Sequence, residues 1–356
     1  FIKQADTSGC RRLGEEAAAF IVGRRLAFPL AEDRWISRRG WFEGGRFAVA
    51  PSRLEILNGI LIPGHRCVPF ANPILLPHEY RFLDDCGEST QRQILQSGIG
   101  FKRLNRILIT HGHLDHILGL GGLLSTFMRW ESIDELEIYG GASALDRISD
   151  LIYSVVLRGA RPPMPVSLIP IKPGLIFDTP DFSITAFSVN HRGPDCYGYL
   201  FEEKGRQPFL AEKAEALGIP NGPLRGKLVN GEAITLEDGR VITPQMVTGE
   251  FRPGTRLAAI GDLGETDSLV DLLRGVDGLV IESTYLEEER DMAKQFAHLT
   301  ARQAAEFAKS IGTGKLMLTH LSRRYREKDV LAEAQVIFEN TSVARDFDTF
   351  TIKRES

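Results

Sequence analysis

The chain has 356 residues, 43% hydrophobic and 25% charged, and carries a net charge of −4 from 43 basic and 47 acidic side chains. That length allows one large domain or two ordinary ones, and no apolar run approaches the roughly 20 residues of a membrane-spanning helix. The charge balance excludes bulk attraction to nucleic acid, so a polyanionic partner has to be held by a local basic patch.

Residues 1–50 are rich in Arg and Gly, contain Trp35 and Trp41, and show no sustained periodicity. Charges are scattered through the first 30 positions, so no secretory signal order is visible. This segment is set apart, without an assigned fold, from a domain over 51–356. The four cysteines (Cys10, Cys67, Cys86 and Cys196) lack the paired spacing of zinc knuckles or redox motifs. Free thiols suit a reducing compartment, and the cytoplasm is the expected location.

In the domain, short apolar runs alternate with helical segments. Strands are expected at Leu54–Leu57, Arg106–Thr110, Glu135–Tyr139, Phe182–Val189, Tyr197–Glu202, Leu257–Ile260, Gly278–Glu282, Lys315–Thr319 and Phe350–Lys353. Helices are expected at Gln91–Ser97, Gly119–Trp130, Ser143–Leu157, Ala301–Ile311 and Glu327–Phe338. Thr300-Ala301-Arg302-Gln303 has the form of a capping box, and Gly312 is placed to stop the helix it opens. Strands mixed with helices, without strict alternation, point to an α/β (α+β) domain with helices on the outer faces of its sheets.

One stretch departs from this pattern. A short helix over Pro208–Leu217 ends at Gly218-Ile219-Pro220. Three short strands are then expected at Gly226–Val229, Glu232–Leu236 and Arg240–Thr243, turned by Asn230-Gly231 and Asp238-Gly239. A unit of about 45 residues is too small for a main core. It reads as an inserted arm over about 205–250.

The chemistry gathers at strand ends. Ile109-Thr110-His111-Gly112-His113-Leu114-Asp115-His116 follows an apolar run and spends three of the eight histidines in six positions. Imidazoles suit zinc, and a carboxylate helps to hold a second dication. Strand alternation would let His111 and His113 share one metal, with Asp115 and His116 reaching another. His191, Asp262 and His320 each follow an apolar strand as well. The expected sites are His111, His113 and His191 on one zinc, and Asp115, His116 and His320 on the other, with Asp262 bridging. His298 lies just before the capping box, and Glu282 ends the run Leu279-Val280-Ile281; such a pair can tune an imidazole as a proton donor. Two adjacent zinc ions support hydrolysis of phosphodiesters, and other esters fit two metals almost as well.

In these residues the chain resembles the metallo-β-lactamase superfamily, whose fold is an αββα sandwich with a dinuclear site along one edge. It is more closely similar to the ribonuclease Z family of tRNA 3′-processing endonucleases. Asp85-Cys86-Gly87-Glu88-Ser89-Thr90-Gln91-Arg92-Gln93 resembles the segment preceding that family's histidine motif. Thr319-His320-Leu321-Ser322-Arg323-Arg324-Tyr325 resembles its last ligand and the residues after it. Leu217–Leu224 resembles the family's exosite, and His298-Leu299-Thr300 and Glu282 fall on its His-Ser-Thr and His-Glu-Ala-Thr motifs.

The resemblance implies removal of the 3′ trailer from precursor tRNA, leaving a 3′-hydroxyl, with two Zn2+ per subunit. It assigns Asp115 as base, and His298, supported by Glu282, to the scissile phosphate or the leaving oxygen. Ser322 and Arg324 would hold phosphate. The arm, with Gly222 and Pro223, would grip the tRNA body in a homodimer with no membrane association. The chain departs from the family pattern at Ser89 (usually Gly), Leu263 (Thr), Ile281 (His) and Leu299 (Ser). Leu57-Asn58-Gly59-Ile60 stands where a Leu-Gly-Thr-Gly-like turn is usual, and no Arg-Asn stands near the first loop. The alternatives are a hydrolase of small phosphodiesters or other esters, and an RNA-binding relative without activity.

Overall fold

A computed structural model describes residues 54–57, 72–75, 80–130 and 133–354, all within the compact unit Val49–Ser356. The expectation for 1–50, and those for Leu57–Ile60 beyond the strand and for the first loop, lie outside the described residues. The strands in chain order are β1 Leu54–Leu57, β2 Asn72–Leu75, β3 Arg81–Asp84, β4 Arg106–Leu108, β5 Leu136–Gly140, β6 Val166–Pro170, β7 Gly174–Asp178 and β8 Phe182–Ser188. They continue with β9 Tyr197–Glu203, β10 Ile234–Thr235, β11 Val241–Ile242, β12 Arg256–Ile260, β13 Gly278–Glu282, β14 Lys315–Thr319, β15 Thr341–Val343 and β16 Thr349–Ile352.

Two seven-stranded sheets carry the domain. One has the order β16-β1-β2-β3-β4-β5-β6, the other β15-β14-β13-β12-β9-β8-β7. Strands β3 to β6 are parallel, as are β12 to β15. Because β9 runs antiparallel to both β8 and β12, β8 points the same way as the parallel block. The carboxyl ends of β8, β12, β13 and β14 therefore share one edge of their sheet, and those of β3 and β4 one edge of theirs.

Alternation explains the layering. Phe82, Leu108, Val280 and Met317 point between the sheets into one buried cluster with Phe182, Tyr199 and Phe201. Their chain neighbours Leu83, Ile107, Leu279 and Leu316 point outward beneath helices. With both faces covered, these strands read as unbroken apolar runs, and β13 is buried at all five positions. Each fully buried Leu, Ile or Phe contributes about 1.5–3 kcal/mol of transfer free energy. The result is an αββα sandwich.

The helix Ala301–Ile311 shows how the outer layer is set. Thr300 accepts from Gln303 N, and the Gln303 side chain accepts from Thr300 N, which closes the capping box; Gly312 ends the helix at φ 65. Ala304, Ala305, Phe307, Ala308 and Ile311 then pack in the cluster that covers β13 and β14.

Two of the helices expected outside the arm differ. The one over 143–157 is α-helical at Ala142–Ser149 and π-helical at Asp150–Val156. Leu157 N donates to Ile152 O, so these two residues, five apart, both turn into the core. The helix opening at Glu327 stops at Gln335, three residues early.

The arm is a widened connection between β9 and β12. These strands pair up to Glu202 opposite Arg256. Beyond them, single bridges join Arg206 to Arg252 and Phe209 to Thr248. Gly254 is needed at the base, since a Cβ there would lie 1.9 Å from Glu203 O. The arm holds the helices Ala211–Ala216, Pro223–Val229 and Pro244–Val247 and the hairpin β10–β11. Ala214, Ile219, Leu228, Ile234, Ile242 and Val247 form a small core of its own.

The strand expected at Gly226–Val229 is instead the end of a helix, so the three-strand meander reduces to a two-strand hairpin. Pro223 fixes φ at the helix start, and Leu224 and Leu228, four apart, face the arm's core while Val229 is exposed. That is a helical period, which four residues of sequence were too few to reveal.

Candidate metal centre

β4 stops at Leu108, and Thr110–His113 crosses the rim as coil before the helix Leu114–Ile117 begins. The turn is pinned from below. Cys86 N donates to His116 O (2.8 Å) and Gly119 N to Cys86 O (2.9 Å). A Cβ on Gly119 would sit 1.8 Å from Gly87 O, so only glycine allows this approach. His111 and His113 do not converge through strand alternation. They meet through different nitrogens, His111 Nε2 lying 2.7 Å from His113 Nδ1.

Asp262 is the hub. Its Oδ2 lies 3.7 Å from His111 Nε2 and 3.6 Å from the Nε2 atoms of both His116 and His191. Its Oδ1 lies 3.5 Å from His320 Nε2, and His298 Nδ1 is 4.0 Å from Oδ2. Asp115 Oδ2 lies 3.7 Å from His320 Nε2 and 3.9 Å from His116 Nε2.

Three groups of potential ligand atoms, each with all members within 4.8 Å of one another, occur among the described residues. They are His111, His113, His191 and Asp262; Asp115, His116 and His320; and Asp262, His298 and His320. All seven residues expected as ligands meet at one rim, drawn from strands of both sheets.

The far side of four of these rings is also held. His116 Nδ1 contacts Asp85 Oδ2 (2.7 Å), and His191 Nδ1 donates to Ala297 O (2.8 Å). His111 Nδ1 lies 3.0 Å from Thr110 Oγ1, and His320 Nδ1 2.7 Å from Thr284 Oγ1. In each case Nδ1 is occupied and Nε2 faces Asp262. Three backbones take left-handed conformations to achieve this: Asp85 (φ 60), Ala297 (φ 54) and His320 (φ 53).

These residues fit bound divalent metal. Asp262 Oδ1 is buried and accepts no hydrogen bond, and imidazole nitrogens with carboxylate oxygens form a donor set suited to zinc. Burial lowers the pKa of His111, His113 and His191, reinforced by neighbouring histidines, which keeps them neutral as ligands must be. Burial works against charge on His116, but Asp85 and Asp262 outweigh it and raise its pKa; Asp262 and Asp115 do the same for His320. Burial likewise opposes ionisation of Asp262, and the charges of His320 and His116 overcome it.

His298 is buried and its Nδ1 lies 2.8 Å from Glu282 Oε1, which also accepts from Leu263 N. Ser322 N donates to Thr284 O, placing that hydroxyl residue beside the rim. The Arg324 guanidinium pairs with Glu289 at 2.9 Å, and the Tyr325 hydroxyl donates to the same carboxylate. Gly222 and Pro223 are exposed at the start of an arm helix. Leu263, Ile281 and Leu299, where the family pattern has polar residues, are all buried in one apolar cluster.

Sequence reasoning assigned no role to Asp85, Thr110 and Thr284, although each caps an apolar strand. It also passed over Arg192, an exposed cation one residue after His191 that lies over the Phe296 ring (5.6 Å) and has no carboxylate partner among the described residues.

Residues 80–211 match the family described as beta-lactamase superfamily domain. The chain is 43% identical over 272 residues to ribonuclease Z of Bradyrhizobium sp. (strain ORS 278), covering 76% of this chain and 90% of that protein. It is 39% identical over 298 residues to ribonuclease Z of Listeria monocytogenes serovar 1/2a, covering 83% and 96%. Its fold is similar to the crystal structure of human tRNase Z, short form, with a TM-score of 0.56, 23% identity and coverage of 84% of this chain and 100% of that one. The chain therefore belongs to the ribonuclease Z family, metal-dependent hydrolases of the endoribonuclease class built on the metallo-β-lactamase fold.

Proposed function

We propose that the chain removes the 3′ trailer of precursor tRNA by zinc-dependent hydrolysis and leaves a 3′-hydroxyl on the tRNA. The observation that carries this reading is the convergence of His111, His113, His116, His191, His320, Asp115 and Asp262 on one rim, in a chain whose inserted arm has a core of its own. His111, His113 and His191 would hold one Zn2+ and Asp115, His116 and His320 the other, with Asp262 shared. Bound there, the two ions supply Lewis acidity to the phosphate and make water acidic enough to attack near neutral pH.

The protein's own groups handle the protons. Asp115 keeps its carboxylate ionised: burial opposes this, and the hydrogen bond and charge of His320 and the charge of His116 prevail. It takes a proton from the attacking water. His298 presents its free nitrogen to the departing 3′ oxygen and protonates it, while Glu282 holds Nδ1 and stabilises the imidazolium until the proton leaves.

Ser322 and Arg324 bind substrate phosphate. Arg324 first has to exchange Glu289 for that phosphate, whereas Arg192 is already available. The arm, through Gly222 and Pro223, grips the tRNA body, and in a cytoplasmic homodimer one subunit's arm serves the other's rim. Among the described residues no helix is long and apolar enough to cross a membrane.

The test is incubation with a precursor tRNA, with and without a chelator, mapping the cut to the nucleotide. Chelator-sensitive cleavage at the 3′ end of the tRNA body is expected. Cleavage of a chromogenic phosphodiester alone would give the rim to small substrates instead.

A further inference from the structure

The rim uses the same device twice. Asp85 is fully buried; it contacts His116 Nδ1 directly at 2.7 Å, and Thr110 Oγ1, also 2.7 Å away, lies 3.0 Å from His111 Nδ1. Glu282 is fully buried; it contacts His298 Nδ1 directly at 2.8 Å, and Thr284 Oγ1, 2.6 Å away, lies 2.7 Å from His320 Nδ1. In both places one carboxylate serves two imidazoles, one by contact and one through a threonine.

We infer that Thr110 and Thr284 are positioning residues, each extending a buried carboxylate to a second imidazole, and that each governs a different one of the two metal sites. This rests on the reading of the rim as a two-metal centre.

The hydrogen bonds leave little choice of direction. A carboxylate only accepts, and a hydroxyl has one proton to give. Thr110 and Thr284 donate that proton to Asp85 and Glu282, so toward the imidazoles they can only accept. His111 and His320 must then carry hydrogen on Nδ1, which leaves the Nε2 lone pair aimed at Asp262, as ligation requires. Backbone bonds lock the arrangement further: Thr110 N donates to Asp85 Oδ1 (2.8 Å), and Thr284 N to Glu282 Oε2 (3.2 Å). Without either hydroxyl the ring would lose its orientation and tautomer, while the directly bonded partner, His116 or His298, would keep its carboxylate.

The experiment is zinc titration of the full chain by chelator competition, with Thr110→Val and Thr284→Val and their Ser counterparts. Each Val variant is expected to weaken one site about 10–100-fold and to spare the other, with different sites affected in the two variants. The Ser variants, which keep the hydroxyl, should bind as the parent chain does. Nitrogen NMR of the histidines should show Nδ1–H lost from His111 in one Val variant and from His320 in the other.

Unchanged zinc affinity in both Val variants would overturn the inference. So would equal loss at both sites in each variant, or Ser variants as weak as Val, since either pattern means a packing defect. A parent chain that binds no zinc would overturn it as well. A parent chain that binds two zinc ions yet leaves precursor tRNA uncut would sink the proposed substrate and leave this assignment standing.

Discussion

The rim and the arm are built on opposite principles. Rim residues stand at the ends of strands buried on both faces, between an inter-sheet core and a helix-covered core. Nearly every ring at the rim has its far nitrogen tied down. The arm rests on six buried residues and two-residue strands, and reaches the sandwich through one antiparallel ribbon. Chemistry needs reacting groups fixed to a fraction of an ångström, which only a dense core supplies. The grip on a large polyanion proposed for the arm would need reach and surface, which a lightly packed insertion provides at little entropic cost, because its ends are already neighbours in a sheet.

The sharpest break of this comparison is Asp262→Ala. It removes the carboxylate shared by two of the three ligand groups at the rim, and should lower turnover of both precursor tRNA and a chromogenic diester on the order of 10³-fold; substantial activity on either substrate would refute its central place. Replacing residues 207–251 by an Asn-Gly turn across the Arg206–Arg252 pair should cut tRNA processing about 100-fold, roughly 2.7 kcal/mol of transition-state binding, and leave the small diester untouched. Equal losses on both would mean that the arm supports the rim rather than the RNA.

Arg192→Ala should reduce the slope of log affinity for precursor tRNA against log salt by about 0.7–0.9, the signature of one lost phosphate contact. An unchanged slope would remove Arg192 from the binding surface. The mildest change sharpens the contrast from the rim's own side. Ser89 sits at φ 69, directly before the helix Thr90–Ser97, and makes no side-chain cap there. Ser89→Gly should therefore raise stability by up to about 1 kcal/mol with no effect on zinc binding, read as a rise in thermal midpoint.

Much of the rim was legible because its histidines and aspartates are polar residues following apolar runs, and buried parallel strands announce themselves as such runs. β13, β14 and the helix Ala301–Ile311 fell where the pattern put them. No strand was expected at β2, β3, β6, β7 or β15. Asn72-Pro73-Ile74-Leu75 holds a proline, and Val166–Pro170 and Gly174–Asp178 lie toward a sheet edge where half-exposed residues blur alternation. Neither the hydroxyl relays through Thr110 and Thr284 nor the engagement of Arg324 by Glu289 could be read from the chain. Both join residues whose proximity exists only once separate strands have been brought edge to edge.

The left-handed backbone at Asp85, Ala297 and His320 carries an evolutionary consequence. At each of these positions glycine would relax the main chain, yet glycine at 85 or 320 would delete a side chain the rim depends on. Selection for thermal robustness and selection for activity therefore pull against each other at two named positions, and consensus or directed-evolution campaigns scored only on melting temperature would drift toward a sturdier protein with an incomplete centre.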